Sequence, residues 1–184
     1  MKKSKTGGVL ILDFGSQYTQ LIARRVREKN VYSEIHPPNT SLKSILSKNP
    51  KAIILSGGPA SVFSDDAPDF DKEIMNINIP ILGICYGLQL LVHHSGGTVD
   101  STGEGEYGFA TINTATKNGI AKNMSSSSKV WMSHMDQVTM IPDDWEVVAY
   151  SSNNIVAAIA SNDHMRFATQ FHPEVSHTEE GDIL

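Results

Sequence analysis

Apolar residues in the first half of the chain fall into short unbroken runs, separated by segments with helical spacing. Val9-Leu10-Ile11-Leu12, Ala52-Ile53-Ile54-Leu55 and Ile81-Leu82-Gly83-Ile84 have the continuous character of strands covered on both faces. Val31 to Ile35 reads as a further strand. Between the first two strands, Tyr18, Leu21, Ile22 and Val26 recur at helical spacing, with Arg24, Arg25 and Arg27 on the opposite, exposed side. Ser41 to Ser47 predicts a short helix, with Ser41 as N-cap and Pro50 beyond its end. Phe70 to Ile77 predicts another helix, and Gly87 to His93 a further one. Strand and helix in alternation predict an α/β fold, a mostly parallel sheet with helices on both faces. Ligands of such sheets bind at the carboxyl ends of the strands.

The second half has a different rhythm. Ala110–Thr114, Val130–Met132, Val138–Met140, Glu146–Tyr150, Ile155–Ala160 and Arg166–Phe171 are short strand-like runs. Asn118-Gly119, Pro142-Asp143-Asp144 and Asn153-Asn154 supply turns between them, and Ser125 to Ser128 fits a loop. This pattern predicts an antiparallel strand extension on the same domain. No internal repeat is present, and 184 residues suit one domain, 1–184, better than two.

Composition narrows the function classes. The net charge of −5 argues against a nucleic-acid surface, and the two basic clusters read as a solvated tail, Lys2-Lys3-Ser4-Lys5, and a helix face. No apolar run is long enough for a membrane span, and no signal-peptide core stands at the N-terminus, so the expected setting is cytoplasmic. A single cysteine cannot form an internal disulfide, which fits a reducing compartment and singles out its thiol.

Cys85 follows a predicted buried strand and precedes a predicted helix, within Gly83-Ile84-Cys85-Tyr86-Gly87-Leu88-Gln89. A sharp strand-to-helix turn pushes one side chain out at the sheet's carboxyl edge, and the helix dipole there favours thiolate. A small buried hydrophobe at a strand end is the plainer reading of the same residue. A nucleophilic Cys needs a base, and the base an orienting group. In extended backbone His172 and Glu174 share one side, so Glu174 can hold one imidazole nitrogen and leave the other for Cys85. Taken alone, Phe171-His172-Pro173-Glu174 fits an ordinary loop equally well. Gly57-Gly58-Pro59 follows the third strand, and two glycines there permit a backbone whose N–H groups point outward. With the Tyr86 N–H, the Gly58 N–H would then form an oxyanion hole; an ordinary turn is the alternative. No metal is expected. The seven histidines lack zinc spacing, and His93-His94 are helix neighbours expected to diverge.

Together and in this order, Gly57-Gly58-Pro59, Gly83 to Gln89 and His172-Pro173-Glu174 resemble the class I (triad) glutamine amidotransferases over nearly the whole chain. Ile11 to Gln20 and Trp131-Met132-Ser133-His134 are similar to the GMP-synthetase branch of that family. The resemblance implies a flavodoxin-like sheet with an antiparallel extension. It implies Cys85 as nucleophile, His172 as general acid/base, Glu174 as its orienter, and Gly58 and Tyr86 as oxyanion-hole amides. Gln89, Ser133, His134 and Asp136 are implied to contact substrate, with Met135 standing where the family usually has Gly. The reaction implied is hydrolysis of glutamine through a γ-glutamyl thioester, the ammonia serving amination of XMP to GMP. No cofactor is implied for this domain. ATP and Mg2+ are expected only on an ATP-pyrophosphatase (synthetase) partner, whose phosphate loop and dimerisation domain this sequence lacks. The chain therefore reads as an excised domain or a separate glutaminase subunit. The same chemistry in another biosynthetic pathway, a γ-glutamyl peptidase and a silent binding module on this fold are the competing readings.

Overall fold

The structure, a computed structural model, describes residues 7–117 and 119–184, with the backbone alone at positions 102 and 104. The expected basic tail and Asn118 of the expected Asn118-Gly119 turn lie outside the described residues. In chain order the elements are β1 (Val9–Leu12), α1 (Thr19–Glu28), β2 (Ser33–His36), α2 (Leu42–Ser47), β3 (Ala52–Leu55), β4 (Ile81–Ile84), α3 (Tyr86–His94), β5 (Thr98–Thr114), β6 (Ser127–Met140), β7 (Trp145–Ser151), β8 (Val156–Ser161) and β9 (Arg166–Thr169). Among the described residues these strands make one nine-stranded sheet, ordered β2-β1-β3-β4-β9-β8-β7-β5-β6. The first five in that order run parallel, and the last four add on antiparallel.

The unbroken apolar runs have the expected cause. In β1 and β3, Leu10, Leu12, Ile53 and Leu55 face one side, where Ile45 of α2 and Leu88 and Leu91 of α3 cover them. Ile11 and Ile54 face the other side, against Ile22 and Ala23 of α1. Helices thus cover both faces, as the alternation of elements predicts. Ser41 caps α2, its side chain accepting the Ser44 N–H at 3.4 Å. The antiparallel half buries its own cluster, including Ile112, Val130, Met132, Val148 and Phe171.

Several expectations need correction. Phe70–Ile77 is not an α-helix; only Lys72–Asn76 is helical, as a 3-10 segment capped by Asp71. The segment leaves helical backbone at Ile77, with ψ 152°, and the Arg166 guanidinium holds the carbonyls of Met75, Ile77 and Ile79 at 2.9, 2.7 and 3.1 Å there and in the turn that follows. Pro80 also demands extended backbone before it. Val130–Met132 and Val138–Met140 are parts of one 14-residue strand. Its buried positions Val130, Met132, His134, Asp136 and Val138 alternate without a break, so Ser133 to Asp136, between the two expected runs, is strand as well. The strand over Thr98–Phe109 has no counterpart in the expected elements, and Ser127 and Ser128 begin β6 rather than lie in a loop. Nor is the arginine face of α1 simply solvated. Arg25 Nε donates to the Glu174 carbonyl at 3.0 Å, and Arg27 Nη2 to that of Ser33 at 3.0 Å.

Arg166 clamps the approach to β4 from the neighbouring strand, and its substitution tests that. Arg166→Met removes the donor that these carbonyls share and is expected to lower unfolding stability by about 2 kcal/mol. The check is a lower urea midpoint at unchanged m-value; an unchanged midpoint would show the clamp to be dispensable.

Candidate active site

Between the end of β4 at Ile84 and the start of α3 at Tyr86, one residue makes the whole turn. Cys85 does so at φ 53° and ψ −103°, a conformation costly for a residue with a side chain. Its surroundings hold it there. The Cys85 N–H donates to the Thr169 carbonyl at 2.7 Å, and the Cys85 carbonyl accepts the Leu88 and Gln89 N–H groups. Close packing forces the helix start against the sheet: a Cβ on Gly87 would lie 2.3 Å from the Leu55 oxygen, and one on Gly83 2.5 Å from the Gly87 carbonyl carbon. The thiol therefore stands at the carboxyl end of the parallel strands, over the N-terminus of α3.

The strand β9 lies beside β4, and this neighbourhood brings position 172 to position 85. His172 Nδ1 lies 2.8 Å from Glu174 Oε1, with both side chains buried. Burial works against charge on the imidazole. Hydrogen bonds to Cys85 and Glu174, with their negative charge, outweigh it, and the His172 pKa is pushed up to about 10. The segment is pinned from two directions. The His172 N–H donates to the Trp131 carbonyl at 3.0 Å, and Thr178 Oγ1 donates to the His172 carbonyl at 2.6 Å. The Tyr18 ring meets the imidazole edge-on, with centroids 5.2 Å apart.

A cleft of about 640 Å³, within the usual range for small-ligand sites, opens beside these groups. Gly58, Cys85, Gln89, Ser133, His134, Asp136 and His172 all line it. Neither Gly57 nor Gly58 has positive φ. They are small because space is short. A Cβ on Gly57 would lie 3.1 Å from His172 Cε1, and one on Gly58 2.5 Å from the Phe14 oxygen. Tyr86 places its ring against Phe14, in the core, and its backbone N–H lies in the first turn of α3.

The expected substrate contacts differ among themselves. Gln89 spends its Nε2 on the Asp136 carbonyl at 3.0 Å. Asp136 Oδ2 accepts from Ser61 at 2.6 Å. The His134 ring is buried and turned inward, with Nδ1 3.0 Å from the Asp136 carbonyl and Nε2 3.3 Å from Glu106 Oε2. Its nitrogens serve the sheet. Ser133 meets the site through its backbone, the carbonyl lying 3.6 Å from Cys85 Sγ. Tyr18, Ser61, Arg25, Gln170 and Thr178 also build the site, yet no spacing in the sequence connects them to Cys85. The polar side chain of Gln170 inside an apolar strand end is the one signal of that kind.

The rings of His93 and His94 meet edge-on at 5.0 Å rather than diverging. Among the described residues no three of His, Cys, Asp and Glu converge as a metal-holding group, and no helix is long and apolar enough to cross a membrane.

Comparison with known proteins agrees with this geometry. The family model of glutamine amidotransferase class-I matches residues 10–184. The chain is 53% identical over 177 residues to the GMP synthase [glutamine-hydrolyzing] of Campylobacter jejuni strain RM1221, covering 96% of this chain and 35% of that protein. It is 53% identical over 173 residues to the protein of the same name from Brachyspira hyodysenteriae, covering 94% and 34%. The chain thus spans about a third of the length of these relatives. The crystal structure of a Thermoplasma acidophilum protein, provisionally named as one subunit of GMP synthase, superposes with a TM-score of 0.85 at 29% identity, over 98% of this chain and 90% of that one. A Thermotoga maritima glutamine amidotransferase shares the fold with a TM-score of 0.72 at 21% identity. With its elbow, its late His and Glu and a match over most of its length, the chain belongs to the class I glutamine amidotransferases.

Proposed function

We propose that the chain hydrolyses glutamine to glutamate and ammonia, with Cys85 as nucleophile, His172 as general acid and base, and Glu174 as its orienter. The observation that carries this reading is the buried His172–Glu174 pair at 2.8 Å beside a cysteine held at positive φ in the cleft wall. The Cys85 thiolate attacks the side-chain amide carbon of glutamine. The carbonyl oxygen takes the negative charge and is held by the Gly58 and Tyr86 N–H groups, neither of which has an acceptor among the described residues. When the intermediate collapses, the C–N bond breaks and the imidazolium gives its proton to the departing nitrogen. A γ-glutamyl thioester remains. Water then attacks its carbonyl carbon while His172 takes a proton, and the C–S bond breaks to restore thiolate and release glutamate. Ser133 and Asp136 line the cleft where the α-amino and carboxylate groups of the substrate would lie, with Gln89 fixing the Asp136 backbone.

One histidine can serve both steps because its charge depends on the sulfur. The partners that raise its pKa include Cys85 itself. With the sulfur anionic, the ring stays protonated and is an acid. Once the sulfur is acylated that support is gone, the ring releases its proton more readily, and it becomes the base.

The relatives' names support a place in GMP formation. In this reading the ammonia passes to an adenylated XMP on an ATP-pyrophosphatase domain or subunit, where ATP and Mg2+ act. The glutaminase domain requires neither.

Three outcomes are expected. A glutamine-mimicking diazo-ketone should add to the protein by intact mass, and Cys85→Ala should abolish the addition. A wild-type protein that stays unlabelled even with its synthetase partner would sink the assignment. The isolated chain should turn glutamine over slowly, and a synthetase partner with XMP, ATP and Mg2+ should raise the rate at least tenfold; brisk turnover without partner would contradict that dependence. The third concerns stability against pH. The folded-state pKa of His172 lies above the ordinary histidine value of 6.5, so its contribution is complete below about pH 6.5 and is lost as pH rises towards about 10. Thermal melts should show the advantage of wild type over His172→Asn shrinking across that window. A constant difference would mean that the ring is not charged in the folded protein.

A further inference from the structure

The Cys85 sulfur has a neighbour outside the triad and the oxyanion hole. Gln170 is fully buried, and its Nε2 lies 3.8 Å from Cys85 Sγ. Its Oε1 is buried with no hydrogen-bond partner. The backbone leaves this side chain little choice of place. The Gln170 N–H donates to the Ala157 carbonyl at 2.8 Å, and Thr169 just before it holds the Cys85 N–H. Phe171 just after it is buried in the antiparallel core. One strand end therefore sets both the sulfur and the amide that reaches it.

A buried amide with a bare carbonyl is a poor space-filler. An aliphatic side chain of similar length would fill the same volume without stranding an oxygen. The amide group earns its place only through its N–H end, and that end meets sulfur. A neutral thiol is a weak acceptor, whereas a thiolate accepts strongly, so the contact favours the ionised form.

We propose that Gln170 is a further catalytic residue of this site, donating its Nε2–H to the Cys85 thiolate. The proposal rests on the reading of Cys85 as nucleophile. In the thiol form the Sγ–H faces the Ser133 carbonyl at 3.6 Å. When that proton passes to the His172 nitrogen not held by Glu174, the Ser133 carbonyl loses its donor and the Gln170 amide supplies one to the sulfur. The same contact returns when the C–S bond of the thioester breaks and the electron pair goes back to sulfur. Gln170 thus improves the sulfur as nucleophile in the first step and as leaving group in the second. The charged and titratable groups that line the cleft with the sulfur are His172 with Glu174 behind it, Tyr107 on β5, Asp136 and the inward-turned His134 on β6, and Tyr18 beside α1. Gln170 reaches the sulfur as a neutral amide donor.

The test is the rate of Cys85 alkylation by iodoacetamide, followed by intact mass between about pH 5 and pH 10. It is run on wild type, Gln170→Leu and Gln170→Glu, with Cys85→Ala as blank and a thermal melt of each. Gln170→Leu is expected to melt no lower than wild type while its labelling inflection moves up by about one pH unit. The lost thiolate fraction is partly offset by the greater nucleophilicity of a more basic sulfur, so labelling near pH 6 should slow about threefold. Gln170→Glu should move the inflection further up, because a carboxylate repels the thiolate. An inflection identical in wild type and Gln170→Leu overturns the proposal. Should Gln170→Leu fail to fold, the unbranched Gln170→Met carries the same test, and loss of folding in both would overturn it by making the amide structural. A wild type that ignores the diazo-ketone, while Gln170→Leu still shifts the inflection, would sink the glutaminase reading and leave the Gln170 contact standing.

Discussion

Cys85 occupies a left-handed backbone conformation that costs a residue of its kind on the order of 1–3 kcal/mol, and the surrounding fold is arranged so that no cheaper path exists. The strand before it is fixed on both sides by β3 and β9. The helix after it is pressed onto β3 at Gly87, where no side chain fits. Relaxing the turn would break the N–H bond to Thr169 or lift α3 off the sheet. The strain is therefore held in place by ordinary packing. Its result is a thiol that stands clear of the sheet beside an uncapped helix terminus.

The second requirement is topological. Residues 85 and 172 are far apart in sequence, and the antiparallel excursion from β5 to β8 brings the chain back beside β4 through β9. The excursion also leaves β6 at the end of the sheet order, with 14 residues of strand. An open edge of that length invites pairing with another chain. Here the segment after β9 covers part of it. The Lys129 carbonyl accepts the Glu179 N–H while its own N–H donates to the Glu179 carboxylate, Trp131 bonds both His172 and Thr178, and Ser133 presents its carbonyl to the sulfur. Protection of the edge and placement of the histidine are one set of contacts.

The parts legible in the sequence are those whose cause is local. The apolar runs of β1, β3 and β4, the N-cap of α2 and the glycines about Cys85 each carry their reason within a few residues. The β5–β6 hairpin was hidden because β6 keeps a strict two-residue alternation with polar members in it. His134 and Asp136 occupy buried positions that alternation assigns to apolar residues, and they are satisfied by Glu106 and Ser61 from distant parts of the chain. Read without those partners, the stretch shows only the two apolar runs at its ends. The turn after the short 3-10 segment is likewise fixed from afar, by the guanidinium of Arg166, about 90 positions later. The site divides likewise. Cys85, His172 and Glu174 announce themselves by motif, whereas Tyr18, Thr178 and Arg25 act through contacts that depend on the finished sheet.

Burial gives the histidine its range in the proposed mechanism. In water an imidazole beside a carboxylate would be screened, and its charge would respond little to a change at a neighbouring sulfur. Inside the cleft wall, desolvation pulls the ring towards neutrality while Cys85 and Glu174 pull it towards charge, and the second effect prevails. The balance rests on two partners of which one is consumed. Acylation replaces an anionic sulfur by a neutral thioester and leaves Glu174 alone against desolvation. The charge on the ring therefore depends on the sulfur beside it, and the covalent state of the sulfur decides whether the ring gives or takes a proton. Glu174 keeps the ring's orientation through both states, its carbonyl tied to Arg25 and its carboxylate to Nδ1. A single fixed geometry can in this way run two opposite proton transfers without moving any side chain between them.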